Sequence, residues 1–343
     1  MKFRRAFVGA ALAAAVLTLG PESGPDAQAQ PTTLRMRSSF AAEHSSSRAI
    51  EIFKAEAERR SGGSIEIEII TDTGNGAKEV IDAVRTEKVF GICVGAANLS
   101  RLVPEVAAMG LPFVFENYDQ IGRALEGPVG ALLEAKLAAK GFTALGWMQL
   151  GSRNVTNSKR PLRTIGDFKG LKIRLQPNEL HMAMFRALGA NPVAMDVKNL
   201  IEALRQGDID GQENPYAIIY DYQWYEYQKY LSDTAHVLDL IAVVANRKAF
   251  MSLQPQEQKA IREAAKIAIT QQWKIASAED AAALVKLREK GMQFDPLPPA
   301  TRAALRRAAA VVVDQARKQI GDELVVDRIL AASKAGFRTG SKL

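Results

Sequence analysis

Three short stretches of the chain alternate apolar and polar residues one for one: TLRMRSS (33–39), SIEIEIIT (64–71) and LKIRLQ (171–176). Period-two alternation buries one face of an extended segment and leaves the other polar, so each predicts a strand. Between the first two lies FAAEHSSSRAIEIFKAEAERRSGG, which reads as a loop and an amphipathic helix stopped by Gly62 and Gly63. After the second, GNGAKEVIDAVRTEK predicts a glycine turn and a helix, and FGICVGA (90–96) a third strand. The same order returns further on. Pro177 ends the third alternating stretch, and an apolar helical segment runs to Leu188 with Gly189 as its C-cap. Asp196 is placed to cap a second helix, whose Val197, Leu200, Ile201 and Leu204 keep helical spacing up to Gly207. IDGQENP (209–215) then reads as a short buried strand entering a turn.

Strand–helix–strand–helix–strand, met twice, predicts an α/β fold with largely parallel sheets and two domains facing each other across a cleft. The connecting segments complete the plan. LPFVF (111–115), a helix across 118–140 and a strand at 142–150 lead into GSRNVTNSKRP (151–161), read as a polar loop that crosses between domains. LDLIAVVANRKA (238–249) reads as a strand returning to the first domain. Residues 255–289 hold neither Gly nor Pro after the first position, and Ile261, Ala265, Ala268 and Ile275 recur at helical spacing. A helix of that length is unusual in a globular protein. The expected division is domain I at 30–150 and 239–278, and domain II at 151–238 and 279–343.

Composition changes this picture at the N-terminus. Of 343 residues, 47% are hydrophobic and 24% charged, ordinary for a soluble globular protein. Residues 1–29 differ: Lys2, Arg4 and Arg5 precede an uncharged run of 15 residues (6–20), and Ala27-Gln28-Ala29 follows. That is the plan of a secretory signal peptide cut after Ala29, and the run is short of the roughly 20 residues that span a bilayer. The expected mature protein is exported, without stable membrane insertion. Its removal takes the formal charge from +7 to about +6. The basic residues are scattered, which excludes a nucleic-acid interface of recognisable form and fits either an anionic ligand or a solvated surface. Cys93, the sole cysteine, sits in an apolar run as a small hydrophobe. No GxSxG, HExxH or P-loop motif is present, and three histidines build no metal site of familiar spacing, so no enzyme, cofactor or metal is expected.

In a parallel α/β sheet, ligands sit beyond the carboxyl ends of the strands. Arg174 lies near one such end and Asn214 at another; a guanidinium there can grip a carboxylate with two parallel hydrogen bonds, with an amide to complete the grip. Pattern alone favours an exposed strand arginine or a salt bridge for Arg174, and Asn214 suits a turn. DFKGLKIR, ALGANPVAM, EALRQGDIDGQENP and EYQKYLSDTAHV resemble the DctP-type solute-binding proteins of tripartite ATP-independent periplasmic (TRAP) transporters, from about Thr33 onward. The resemblance implies a periplasmic protein whose cleft captures an organic acid, such as a sugar acid or C4-dicarboxylate, for a membrane permease. It implies that the long helix spans both domains as part of a hinge. It makes Arg174 the partner of the ligand carboxylate, Asn214 a ligand-binding amide, Arg153 a second contact and His236 a further candidate. In the first domain it suggests His44, after the first strand; by position, Glu79 at the start of the helix after GNG and Gly95 and Asn98 after the third strand are further candidates, and Tyr216, Trp147 and Phe40 suit either apolar walls or the core. Relatives that bind sialic acid carry a glutamate near Gly95, absent here, which argues against that ligand. A planar, aromatic or keto acid stays open, as do a periplasmic enzyme acting on a carboxylate and a binding protein that docks on a sensor. A monomer is the default.

Overall fold

The computed structural model describes residues 30–71 and 76–334. The expected signal peptide, most of the GNG turn and the end of the tail lie outside the described residues.

β1 (Thr32–Ser38) and β2 (Ile65–Thr71) bury alternate side chains, Leu34 and Met36 in the one, Ile65 and Ile67 in the other. α1 (Ser45–Arg60) connects them. α2 (Ala77–Arg85) leads to β3 (Gly91–Gly95), buried along its whole length because it lies inside the sheet with both faces covered, which is why its sequence runs apolar without alternation. After α3 (Ala96–Leu99) and a 3-10 turn at Pro104–Gly110, the helix expected across 118–140 proves to be two, α4 (Tyr118–Glu126) and α5 (Pro128–Ala139). Pro128 has no N–H to continue the ladder, so it starts α5 at its first turn and Gly127 adopts an extended backbone between the two.

β4 (Phe142–Asn157) corrects the sequence reading most. The polar segment after Gly151 continues the strand and is largely buried. Its polar side chains are inside because they satisfy one another: Thr156 donates to Gln228 at 2.9 Å and accepts from Gln212 at 2.8 Å, and the Asn154 carbonyl oxygen accepts from Ala235 N at 2.9 Å. β5 (Lys172–Leu175), α6 (Glu179–Ala187), β6 (Asn191–Ala194), α7 (Leu200–Gln206) and β7 (Gly211–Asn214) form the second strand–helix repeat, followed by α8 (Tyr216–Asp221). β8 (Tyr230–Asn246) starts eight residues before the strand expected from 238. α9 (Arg247–Ser252), α10 (Pro255–Glu289), β9 (Gln293–Asp295), α11 (Pro299–Ala309), α12 (Val311–Ile320) and α13 (Glu323–Lys334) complete the chain.

The strands form one mixed sheet in the order β2-β1-β3-β8-β4-β7-β5-β6, with β9 beside β8. β1, β2 and β3 pair in parallel, as do β5, β6 and β7. Antiparallel β4 and β8, 16 and 17 residues long, carry the sheet from one parallel group to the other. One core covers each face, and both draw on both groups: Ile92, Leu137, Ile173 and Phe185 on one side, Phe53, Ile67, Leu204 and Ile219 on the other. α10 belongs to the second face. Its buried stripe is mostly alanine, and Gln272 fixes its middle to β4, donating to Gln149 O at 2.7 Å and accepting from Gln149 N at 3.0 Å. Along its length it touches α1 through Arg60–Glu263 and α8 through Asp280, which accepts from Ala217 N. The long helix therefore packs against both halves.

Candidate functional site

A cavity opens at the carboxyl ends of β1, β3, β5 and β7, and counting its mouth it holds about 630 Å³ of free space. Ser39, Phe40, Gly95 and Asn98 line it from the first parallel group. Arg174, Gln176, Asp196, Asn214, Tyr222 and Trp224 line it from the second.

Arg174 is 2% exposed although Lys172, two residues before it in the strand, is exposed. The two share one face of β5, but Lys172 stands at the start of the strand and Arg174 at its carboxyl end, where the cavity lies. Its Nε donates to Met195 O at 2.9 Å, and its terminal nitrogens make no hydrogen bond or ion pair among the described residues. Burial drives the guanidinium down to about 10, with Glu213 opposing that shift and Arg153 adding to it. At neutral pH it stays charged. A desolvated cation lining a cavity, with two donors uncommitted, is a receptor for an anion.

Asn214 lines the same cavity and faces two ways: its carbonyl oxygen accepts from Arg153 at 3.0 Å, and its amide donates to Gln212 at 2.7 Å. Gly95 and Asn98 close the opposite side. A Cβ on Gly95 would lie 3.4 Å from the Asn98 amide and 3.8 Å from the Gln176 amide, so a larger residue there would crowd the space between the two groups of strands.

The remaining candidates stand elsewhere. Arg153 lies behind the wall, fully buried, and gives its guanidinium to protein: to both Glu213 carboxylate oxygens, to Asp239 at 2.7 Å and to Glu213 O at 2.6 Å. His236 joins that cluster, its Nε2 3.0 Å from Glu213 and its Nδ1 2.9 Å from Thr234. Burial raises the Glu213 carboxyl, but the Arg153 charge and the bonds from His236 and Arg153 outweigh it and hold Glu213 far below the usual carboxylate range. Tyr216 donates to Asp233 at 3.1 Å and packs edge-on against Phe294, so it is a core tyrosine. Trp147 lines a separate groove with Trp273. Glu79 sits at the rim, paired with Lys198 at 2.8 Å.

His44 is the N-cap of α1. Its Nδ1 accepts from Ser46 N at 3.2 Å, and the ring stacks on Phe40, which puts it one layer behind the cavity. Burial, aided by Arg48, lowers the imidazole to about 4. On acidification the unfolded chain therefore takes this proton first, near 6.5, so the stability His44 gives is full above that value and is lost as pH falls towards 4. His44→Asn keeps a good cap without the titration. Between pH 7 and pH 4, wild type should lose about 3 kcal/mol relative to the variant, at roughly 1.4 kcal/mol per pH unit. Urea melts of both at several pH values check this; parallel pH profiles would contradict it.

The sequence pattern marks none of Gln176, Asp196, Tyr222 and Trp224 as a site residue; Asp196 is read there as a helix cap, and it does cap the turn at Val197 by accepting from Lys198 N. Gln176 could have been marked, since it stands two residues after Arg174 and a strand presents such pairs on one face. The aromatic run around Trp224 has no spacing that marks it. Several bonds close the cavity between the two groups of strands: Ala77 N donates to Asp196 at 3.2 Å, Lys198 pairs with Glu79, and Tyr222 donates to Ser39 O at 3.3 Å.

Residues 37–319 match a family described as bacterial extracellular solute-binding protein, family 7, or DctP. A solute-binding protein of Verminephrobacter eiseniae is 32% identical over 294 residues, covering 85% of this chain and 87% of that one. The 2,3-diketo-L-gulonate-binding periplasmic protein YiaO of Escherichia coli K12 is 31% identical over 237 residues, 69% of this chain and 72% of that one. In structure, the sugar acid binding protein DctPAm of Advenella mimigardefordensis, crystallised with galactonate, superposes with a TM-score of 0.85. It is 29% identical, with 89% of this chain and 99% of that one covered.

Proposed function

The chain belongs to family 7 of the bacterial extracellular solute-binding proteins, the DctP family, and we propose that it captures an organic acid at Arg174 and delivers it to the membrane permease of a TRAP transporter. One observation carries the reading: a buried arginine that lines the cavity and keeps its terminal nitrogens off every carboxylate among the described residues. The ligand carboxylate takes the two donors, Asn214 adds an amide, and Gly95 and Asn98 close the other side. The relatives that bind 2,3-diketo-L-gulonate and galactonate support a sugar acid. Arg153 and His236 serve indirectly, by holding Asn214 and Glu213 in place behind the site.

The protein works by capture and release. We place the crossing between its two domains where β4 and β8 change register, near Gly151 and Arg153, with α10 as the hinge brace. Opening parts the bonds from Ala77, Lys198 and Tyr222, and a ligand that touches both sides favours the closed form. Among the described residues no helix is long and apolar enough to cross a membrane. The reading puts the mature chain in the periplasm as a monomer, released from a signal peptide at residues 1–29.

A thermal-shift screen of the mature protein against carboxylic acids tests it. An acid at 100 times its Kd should stabilise by about 2.7 kcal/mol, and the acid should be recovered chemically unchanged. A folded protein that no acid stabilises overturns the reading. Conversion of the acid would make the chain an enzyme.

A further inference from the structure

Resting on the reading that two domains close on an organic acid, we propose that Asp196 is the latch of the closed form: a positioning residue that caps helix α2 from across the cleft and governs how fast the acid leaves.

Helix α2 has no side-chain cap of its own. It runs nine residues, Ala77–Arg85, and the residue before it is Gly76, which has no side chain to accept from the amides of the first turn. Those amides need an acceptor. Asp196 supplies it from the other parallel group, 119 residues along the chain: its Oδ2 accepts from Ala77 N at 3.2 Å. Its Oδ1 accepts from Lys198 N at 3.4 Å, so the same carboxylate also caps the 3-10 turn Val197–Asn199. A second bond runs the other way, from Lys198 Nζ to Glu79 in the first turn of α2 at 2.8 Å. The turn after β6 is thus seated on the positive end of α2.

Gly76 makes the approach possible. Its φ of −70° and ψ of 161° are open to any residue, so the backbone does not ask for glycine. A Cβ there would lie 2.5 Å from the Asp196 Oδ2 and 2.5 Å from the Glu79 Oε2. Both oxygens could swing away, but Asp196 would then leave Ala77 N. The contact across the cleft requires the glycine.

The latch stands where the acid must pass. Asp196, Ala77, Asn98 and Pro177 line the cavity and also an outer pocket whose other walls include Lys78 and Arg101. The bond from Ala77 to Asp196 therefore lies in the partition between the two. Capping also accounts for an anion in the lining of a cavity that takes acids, since α2 engages its charge.

Two arms test the latch, one of them without any acid. Gly76→Cys combined with Asp196→Cys puts two thiols within bonding reach, because a Cβ on Gly76 lies 3.0 Å from the Asp196 Cγ. Cys93 is fully buried and does not compete. Oxidation of the ligand-free double variant should cross-link it, and small-angle scattering should show the oxidised form more compact than the reduced one. If no cross-link forms, the turn does not reach α2 in solution; if oxidation leaves the scattering unchanged, the contact is permanent. Either result overturns the latch and leaves the acid-binding reading standing. In the second arm, stopped-flow tryptophan fluorescence follows D-galactonate, D-erythronate and succinate on the mature protein. For each acid that binds, Asp196→Ala and Gly76→Ala should each speed dissociation about fivefold, the usual worth of a cap, and change association much less. Asp196→Asn, a cap of equal quality, should recover most of the loss. Gly76 does not line the cavity, so its variant separates a latch from direct contact with the acid. Faster dissociation in Asp196→Ala with wild-type dissociation in Gly76→Ala would make Asp196 a ligand contact and overturn the latch. If none of the three acids binds, the scattering arm still decides the latch, and the wider carboxylate screen decides the acid-binding reading.

Discussion

Arg174→Ala should lose acid binding by roughly two to three orders of magnitude while the protein stays folded. Removing one partner of a buried, hydrogen-bonded charge pair costs about 2–5 kcal/mol of affinity, because the other charge is then buried alone. Arg174→Lys separates charge from geometry. Lysine keeps the cation but offers a point charge on a flexible stem in place of a planar fork, so it should recover a small part of the loss. The stability of the ligand-free variants gives an independent reading. Burial opposes the Arg174 charge strongly enough to pull the guanidinium down to about 10, and no carboxylate among the described residues contacts it directly. Deleting that charge should therefore leave the melting temperature of the ligand-free protein level or raise it, while abolishing the rise that the acid produces. This is the signature of a group kept for function at a cost to the fold. Titration calorimetry together with thermal melts checks both halves. Unchanged affinity in Arg174→Ala would place the carboxylate elsewhere in the cavity, and a large drop in ligand-free stability would make Arg174 a structural arginine.

Much of this arrangement was legible in the sequence. The two strand–helix repeats were, because exposed faces force strict alternation in 33–39 and 64–71 and because Gly189 and Gly207 supply the left-handed backbone that ends their helices. The length of α10 was legible from the absence of Gly and Pro. Arg174 and Asn214 fell at strand ends, where α/β sheets place ligands, and the structure brings both to one cavity. What the pattern hid is the interior polar layer. GSRNVTNSKRP looks like a loop because polar residues ordinarily face water, yet here Arg153, Asn154 and Thr156 find partners 60 to 81 residues away. No local rule anticipates a partner at that distance. The same limit placed His44 in the ligand site when its local chemistry, an acceptor two residues before Ser46 N, makes it a helix cap. It also hid Trp224, whose position beside the cavity depends on the course of the chain after α8.

The largest loss of stability should come from Arg153. Arg153→Met leaves Glu213 and Asp239 buried with His236 as the one remaining side-chain donor to the Glu213 carboxylate among the described residues, and breaking a buried ionic cluster in this way costs about 3–5 kcal/mol. Against a typical total of about 5–15 kcal/mol, that brings the protein close to unfolding at growth temperature. The pH dependence identifies the cause. In wild type, Glu213 titrates well below its ordinary value of 4.5, so the stability it contributes is present above pH 4.5 and lost as pH falls further. Without Arg153 the effect of burial prevails and the carboxyl rises, so the folded variant takes up a proton that the unfolded chain lacks. Its stability should then increase as pH is lowered from 7 towards 5, shrinking the gap to wild type. Adding Glu213→Gln to Arg153→Met should recover a large part of the loss at pH 7, because the uncompensated charge goes with it. Denaturant melts of wild type, single and double variants at pH 5 and pH 7 test all three statements. Arg153→Met that melts like wild type but binds the acid weakly would return this arginine to the ligand. A deficit constant with pH, with no recovery in the double variant, would mean that the side chain acts through packing rather than charge.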